Sequence, residues 1–197
     1  SDTQVLGINA WIKPAKFYLS TALFVWTMGW FTGYLDRPKL ITAYNIVVIS
    51  VLAFELIYIS WQASLGQQSH FNINTQFNAL MWSLMGSTIS IMTLFTAVIG
   101  WFFFKDSFPD LSPSYLWGIR LGIITFVIFA FEGGIMGALM SHTVGAEDGA
   151  TGITFLNWSL SHGDLRIAHF IGMHALQVLP VVGFYLMSQP RGIWIAS

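Results

Sequence analysis

The residues that could take part in chemistry concentrate in one segment, residues 161–177. It contains three of the five histidines of the chain with an aspartate and an arginine: His162, Asp164, Arg166, His169 and His174. An apolar run follows directly, up to residue 187. Charged groups and imidazoles that lead into an apolar stretch of membrane length are costly to place in lipid. We therefore expect the other helices to pack around this segment.

A helical projection separates the polar from the apolar side chains of this segment at about 100° per residue. One arc holds His162, Arg166, His169, Met173, His174, Gln177 and Pro180, and the other holds Ile167, Ile171, Ala175, Val178, Leu179, Val182 and Leu186. This pattern is typical of a transmembrane helix with one side facing lipid and one facing a protein interior. Because His169 and His174 are about 140° apart, as ligands they would bind different centres or reach round one large group.

The composition is that of an integral membrane protein. Of 197 residues, 55% are hydrophobic and 9% are charged, whereas soluble domains carry about 25% charged residues. The net charge of −1 excludes the basic surface of a nucleic-acid-binding protein. The absence of cysteine excludes disulfides, thiolate metal sites and the attachment motif of c-type haem. His, Glu, Asp and Met remain as metal ligands.

The apolar stretches predict an all-α, single-domain bundle of five transmembrane helices. The predicted spans are residues 17–34, 40–61, 77–104, 115–140 and 165–187. More Lys and Arg residues flank one face than the other, which predicts a cytoplasmic C-terminus and an external N-terminus. No signal peptide is expected, because no charged segment, apolar segment and cleavage site occur together.

This threading brings the histidines and two glutamates of the spans to one membrane half, the external half. We predict that they converge on one site, with His70, His142, His162, His169 and His174 as metal ligands and with Glu55 and Glu132 as catalytic groups or ligands. Three histidines follow a serine, which either bonds the ring or caps a helix. The histidines and glutamates could also be structural partners of one another or of the backbone.

Two charged pairs near this site have a simpler explanation. Asp164 and Arg166 are typical of an interfacial ion pair. We also predict both as cofactor-binding residues, with Arg166 suited to a haem propionate. Glu147 and Asp148 in the glycine-rich loop are expected to be solvated.

Residues 163–180, with His142-Thr143-Val144-Gly145 upstream, resemble segments of uncharacterised bacterial polytopic inner-membrane proteins. The resemblance covers a minor part of the chain and implies a bacterial inner membrane without implying an activity. The chain also resembles di-haem membrane cytochromes b in its histidines on apolar helices, which here imply at most one haem layer. It resembles membrane zinc hydrolases related to alkaline ceramidases in its polar groups at one face. Those have seven spans and an H-x-x-x-H pair, so no residue roles are carried over.

The preferred function from sequence is a membrane redox protein that binds haem or a transition metal (Cu, Fe or Zn). In it, His169 or His174 would bind the centre together with His70 or His142, and a quinol or another membrane subunit would supply electrons. One alternative is a zinc-dependent hydrolase that acts on a lipid, with Glu132 as general base. Another is a non-catalytic, cofactor- or partner-binding subunit of a larger membrane complex. The sequence leaves open whether the protein is an enzyme.

Overall fold

The computed structural model describes residues 3–5, 7–149, 152–153 and 156–187. Five α-helices and four short β-strands lie within these residues. The helices are α1 (Ile12–Thr32), α2 (Pro38–Ser64), α3 (Gln76–Lys105), α4 (Pro113–Leu139) and α5 (Leu165–Met187). The strands are β1 (Gln4–Val5), β2 (Ile8–Asn9), β3 (Thr143–Val144) and β4 (Gly163–Asp164).

Four of these helices, α2 to α5, are long and apolar enough to cross a membrane. They indicate a multi-pass membrane protein of all-α architecture. The helix α1 is not among them, so a first membrane span at residues 17–34 stays a prediction. The observed helices agree with the predicted spans to within a few residues, except that α1 begins earlier, at Ile12.

Local sequence signals set where the helices begin. The Thr75 hydroxyl accepts a hydrogen bond from the backbone N–H of Asn78 at 3.1 Å and caps α3. Ser112 caps α4 in the same way, and Pro113 follows it where the missing N–H has no cost. Helix α4 ends at Leu139, and the next residue, Met140, caps it in a left-handed backbone conformation at φ 51°.

The helices pack in a closed order, because α1 contacts both α2 and α5 while α2–α3, α3–α4 and α4–α5 are neighbours. Buried polar side chains join α2 to α3. Tyr44 and Thr96 share a hydrogen bond of 3.0 Å, and Gln62 donates to Asn78 at 3.1 Å. Within α2, Gln62 also donates to Tyr58 at 2.6 Å. Such bonds are favourable between membrane helices, where water cannot satisfy these groups.

The α4–α5 contact is lined by glycines, and we call it the glycine seam: Gly118, Gly122, Gly133, Gly172 and Gly183. A Cβ at Gly118 would lie 2.6 Å from the carbonyl oxygen of Leu179, so the two backbones approach closely because no side chain stands between them. Of the predicted Gly133-Gly134-x-x-Gly137 run, Gly133 faces His169, Gly137 faces Trp82 and Gly134 is open.

Two short antiparallel pairs, which the sequence did not predict, shape one end of the bundle. Strands β1 and β2 form a hairpin before α1, and β3 pairs with β4 in the register Thr143↔Asp164 and Val144↔Gly163. The second pair joins the end of α4 to the start of α5. It therefore holds the segment around His142 beside the segment around Arg166.

Candidate ligand-binding cavity at one end of the bundle

A cavity of about 390 Å³ lies at the end of the bundle where α2 and α4 end and α3 and α5 begin. Its walls come from the β1–β2 hairpin, the first turns of α1, the 67–71 loop, the 140–149 segment and the 157–166 segment. These segments are far apart in sequence, and only the helix packing brings them together. The volume lies in the range of small-molecule sites.

Two of the five predicted histidine ligands, His70 and His142, line this cavity. The His70 ring lies between the rings of Phe17 and Trp82, with centroid distances of 5.6 and 5.4 Å. Burial lowers the pKa of His70 well below its ordinary value, because it disfavours the charged form of the ring. Burial and the Arg166 guanidinium lower the pKa of His142 in the same direction.

Asp148 organises the loop that carries His142. Its carboxylate accepts hydrogen bonds from the Thr143 N–H at 2.9 Å, the Ser141 hydroxyl at 3.0 Å and the His142 N–H at 3.2 Å. The ring Nδ1 of His142 lies 2.8 Å from the same carboxylate, without the alignment of a hydrogen bond. Burial raises the pKa of the Asp148 carboxyl, but the hydrogen bonds from Thr143 lower it further, so the pKa lies below its usual range. The expectation of a solvated Asp148 was therefore wrong.

Three basic side chains, Lys13, Lys16 and Arg166, also line the cavity. Burial lowers the pKa of Lys13 to about 7 and also lowers the pKa of Lys16. Arg166 is held by Asp164, with N···O distances of 2.9 and 2.6 Å, so the interfacial ion pair is present. Lys16 donates to the carbonyl oxygen of Leu156 at 3.4 Å. Lys13 lies 5.9 Å from the centroid of the Phe17 ring.

The other predicted site residues lie outside the cavity walls. His162 is exposed, and its Nδ1 lies 2.9 Å from the Ser161 hydroxyl. The His174 ring packs on Phe170 at 4.4 Å, and Glu55 is buried on α2. Asp164 accepts a hydrogen bond from the Arg166 side chain but does not itself line the cavity.

His169 and Glu132 meet in the glycine seam instead. The His169 Nδ1 donates to the carbonyl oxygen of Phe129 at 2.7 Å and lies 3.4 Å from the Glu132 carboxylate. Gly133 makes this approach possible, since a Cβ there would lie 2.9 Å from the ring. Within the described part of the chain, the Glu132 oxygens have no hydrogen-bond partner.

One geometric property is common to all five histidines. Their Nδ1 atoms lie 2.7–3.3 Å from an oxygen: Ser69 for His70, Asp148 for His142, Ser161 for His162, Phe129 for His169 and Gln177 for His174. No hydrogen bond among the described residues engages a histidine Nε2. In a metal-binding histidine, an oxygen commonly holds one ring nitrogen while the other nitrogen binds the metal. In a general base, a carboxylate holds one ring nitrogen while the other accepts the proton.

The Ser-His pairs do not act as helix caps. Ser69 and Ser161 bond the ring of the following histidine, and Ser141 bonds Asp148. The N-caps of α3 and α4 are Thr75 and Ser112 instead.

The predicted single His/Glu cluster is not assembled in this structure. Across residues 3–5, 7–149, 152–153 and 156–187, no three His, Asp or Glu side chains are placed to hold one metal ion. Lys13, Lys16 and Asp148, which sequence reasoning left out of the site, do line the cavity. The two lysines precede the first apolar stretch, and this position was their only signal in the sequence.

These features indicate a polytopic, all-α membrane protein whose bundle has, at one end, a cavity lined by basic, imidazole and apolar side chains. No protein-family model matches the chain, and neither a curated protein nor a solved structure matches it.

Proposed function

We propose that this chain is a ligand- or cofactor-binding membrane protein whose end cavity receives a small organic molecule with an acidic group. The observation that carries the proposal is the combination of three basic and two imidazole side chains on the walls of one cavity. Of the functions considered from sequence, this is closest to the cofactor-binding subunit.

The chemistry of the walls supports an organic ligand with one acidic end. Lys13, Lys16 and Arg166 offer N–H donors, which suit a carboxylate or phosphate. An acidic ligand beside Lys13, whose pKa burial lowers to about 7, would favour the protonated amine. Phe17 and Met140 on other parts of the wall offer apolar contact to the rest of a molecule. Small-molecule sites commonly combine apolar walls with a few polar groups in this way.

The test is to purify the protein from its native membrane in detergent and identify retained small molecules by mass spectrometry. The wild type should retain an acidic molecule in near-stoichiometric amount, and Lys13→Gln should lose most of it. The exposed Lys39 lies at the other end of the bundle, so Lys39→Gln is the matched control. A wild type that retains no such molecule would contradict the proposal. So would Lys13→Gln and Lys16→Gln variants that both retain as much of the molecule as the wild type.

A second candidate is the redox protein, with haem as the acidic molecule. It is favoured by His70 and His142, which line the cavity. The Nδ1 of His70 shares a hydrogen bond with Ser69, and that of His142 lies 2.8 Å from the Asp148 carboxylate. One of them would bind the haem iron, and the basic side chains would hold the propionates. A quinol or a membrane partner would supply electrons. Haem needs only one or two protein ligands, so a cluster of three is not required.

Absorption spectra of the oxidised and reduced protein test this candidate. A Soret band that disappears in His142→Ala or His70→Ala and persists in His162→Ala would support it, because His162 is outside the cavity. A colourless wild type would refute it. The zinc hydrolase is the function that the geometry supports least, because catalytic zinc takes three protein ligands and the described residues contain no such group.

We also propose that the cavity opens to the outside of a bacterial inner membrane, as the Lys and Arg distribution predicts. The chain contains no cysteine, so single cysteines can be labelled cleanly. Ser161→Cys, at the cavity end, should react with a membrane-impermeant maleimide in intact cells. Asp110→Cys, at the opposite end, should react only after lysis, and the reverse pattern would refute the orientation.

A further inference from the structure

A second cavity, of about 570 Å³, lies at the opposite end of the bundle, between the end of α3 and the start of α4. We call it the α3–α4 cavity. Helix α3 has 30 residues and is about 45 Å long at 1.5 Å per residue, so this cavity is remote from the histidines. Nothing in the proposed function uses it.

Two cations on its wall, Lys105 and Arg120, give this cavity a positive charge. Asp106 also lines it, but Arg37 pairs with that carboxylate at 2.9 and 3.0 Å and neutralises it. Two cationic side chains therefore remain without a compensating carboxylate on the described wall.

Arg120 is held in place before any ligand binds. Its Nε donates to the carbonyl oxygen of Phe103 at 2.8 Å, and its guanidinium lies 5.0 Å from the Phe104 ring and 5.1 Å from the Trp117 ring. The bond to Phe103 uses one of the five guanidinium N–H donors. A guanidinium fixed in this way presents its terminal N–H groups as a fork, which matches phosphate geometry.

The depth of the cavity points to a lipid as the source of the phosphate. Arg120 is seven residues beyond Pro113, which places it about 10 Å along α4. Trp117 and Phe104 beside it are 50% and 41% exposed on the outer surface of the bundle. Half-exposed aromatic rings next to a cation are typical of the headgroup level of a bilayer, and basic pockets between membrane helices at the cytoplasmic side bind anionic headgroups.

We propose that the α3–α4 cavity binds the phosphate of an anionic phospholipid, with Arg120 and Lys105 as the phosphate-binding residues and with the lipid chains beside Trp117. The apolar residues Phe108 and Leu116 on the wall would contact the glycerol and the upper acyl chain. The site is independent of the ligand in the histidine-lined cavity.

Native mass spectrometry with added phosphatidylglycerol or phosphatidylcholine tests the proposal. The wild type should retain phosphatidylglycerol in preference to phosphatidylcholine, and Arg120→Gln should weaken that retention about tenfold, since a hydrogen bond to a charged group is lost. Lys105→Gln should weaken it less, because a lysine offers a point charge rather than a fork. Lys39→Gln is the control, since Lys39 is exposed at the same end and outside the cavity.

Three results would overturn the proposal. The first is equal retention of the two lipids by the wild type. The second is that Arg120→Gln and Lys105→Gln both retain as much phosphatidylglycerol as the wild type. If Arg120→Gln unfolds because it loses the bond to Phe103, Lys105→Gln alone provides this test. The third is complete displacement of the lipid by an equal concentration of inorganic phosphate, which would make the cavity a site for the free ion.

Discussion

The close approach of α4 and α5 leads us to predict opposite effects of alanine substitution at two glycines of α4. Gly118 lies in the glycine seam, and a Cβ there would be 2.6 Å from the Leu179 carbonyl oxygen and 2.7 Å from the Pro180 Cα. Gly134 has no atom within 4 Å of an added Cβ. We expect Gly118→Ala to destabilise the fold and Gly134→Ala to stabilise it slightly.

The size of the effect follows from these distances. Ordinary Cβ contacts begin at 3.4 Å, so α4 and α5 must separate by about 0.8 Å at Gly118, where the opposing atoms are backbone and cannot rotate away. Overpacking of this kind costs about 1–3 kcal/mol. At the open site, replacing glycine by alanine within a helix contributes about 0.5–1 kcal/mol of stability. Because both variants share this gain, they should differ by the overpacking cost alone, about 1–3 kcal/mol.

Thermal unfolding in detergent micelles, followed by circular dichroism, measures this difference. At about 2–4 °C per kcal/mol for a chain of this size, Gly118→Ala should unfold at least about 2 °C below Gly134→Ala. Because both variants make the same chemical change in α4, intrinsic helix propensity cancels in the comparison. If Gly118→Ala unfolds at or above the temperature of Gly134→Ala, the backbone contact between α4 and α5 is wrong.

Three further predictions concern single contacts. Gly133→Ala should push the His169 ring away from its backbone acceptor, so the ring ¹⁵N shifts should change from the Nδ1–H to the Nε2–H tautomer; an unchanged tautomer would refute the contact. The hydrogen bonds from Arg37 lower the pKa of Asp106 below its usual 3.8, so this pair stabilises the fold above that pH and loses its contribution as the pH falls through the lowered pKa. Asp106→Asn should remove that acid-sensitive part of the unfolding temperature, and a pH profile identical to the wild type would contradict it. Thr75→Ala should cost about 1 kcal/mol through loss of the α3 cap, visible as faster hydrogen exchange in the first turn of α3 alone; unchanged exchange there would exclude the cap.

The candidate site was only partly predictable from sequence. The number of predicted spans between the two loops places His70 and His142 at the same end of the bundle. In the structure, both residues line one cavity. The counting assigns an end of the bundle to each residue but not a position across it. His162 and His174 therefore lie apart from the cavity although they were expected at the same site, and His169 faces α4 because Gly133 leaves room for its ring.

Lys13 and Lys16 were not predicted because nothing local marks them as site residues. Their place in the cavity depends on contacts across the chain, such as the bond from Lys16 to the carbonyl of Leu156. Asp148 was expected to be solvated because it lies in a polar, glycine-rich loop. The structure instead turns the chain back through Thr143, so that three donors from residues 141–143 point at its carboxylate.

The sequence by itself determined the class of protein and the extents of the helices that could cross a membrane, because apolar length and hydropathy are properties of a continuous stretch of chain. Only the tertiary structure decided which helices are neighbours, through the glycine seam between α4 and α5, and which polar groups share a cavity, through the pairing of β3 with β4. Those outcomes depend on the fit of side chains and backbones that are far apart in sequence. The hydrophobic periodicity of a single helix contains no information about that fit.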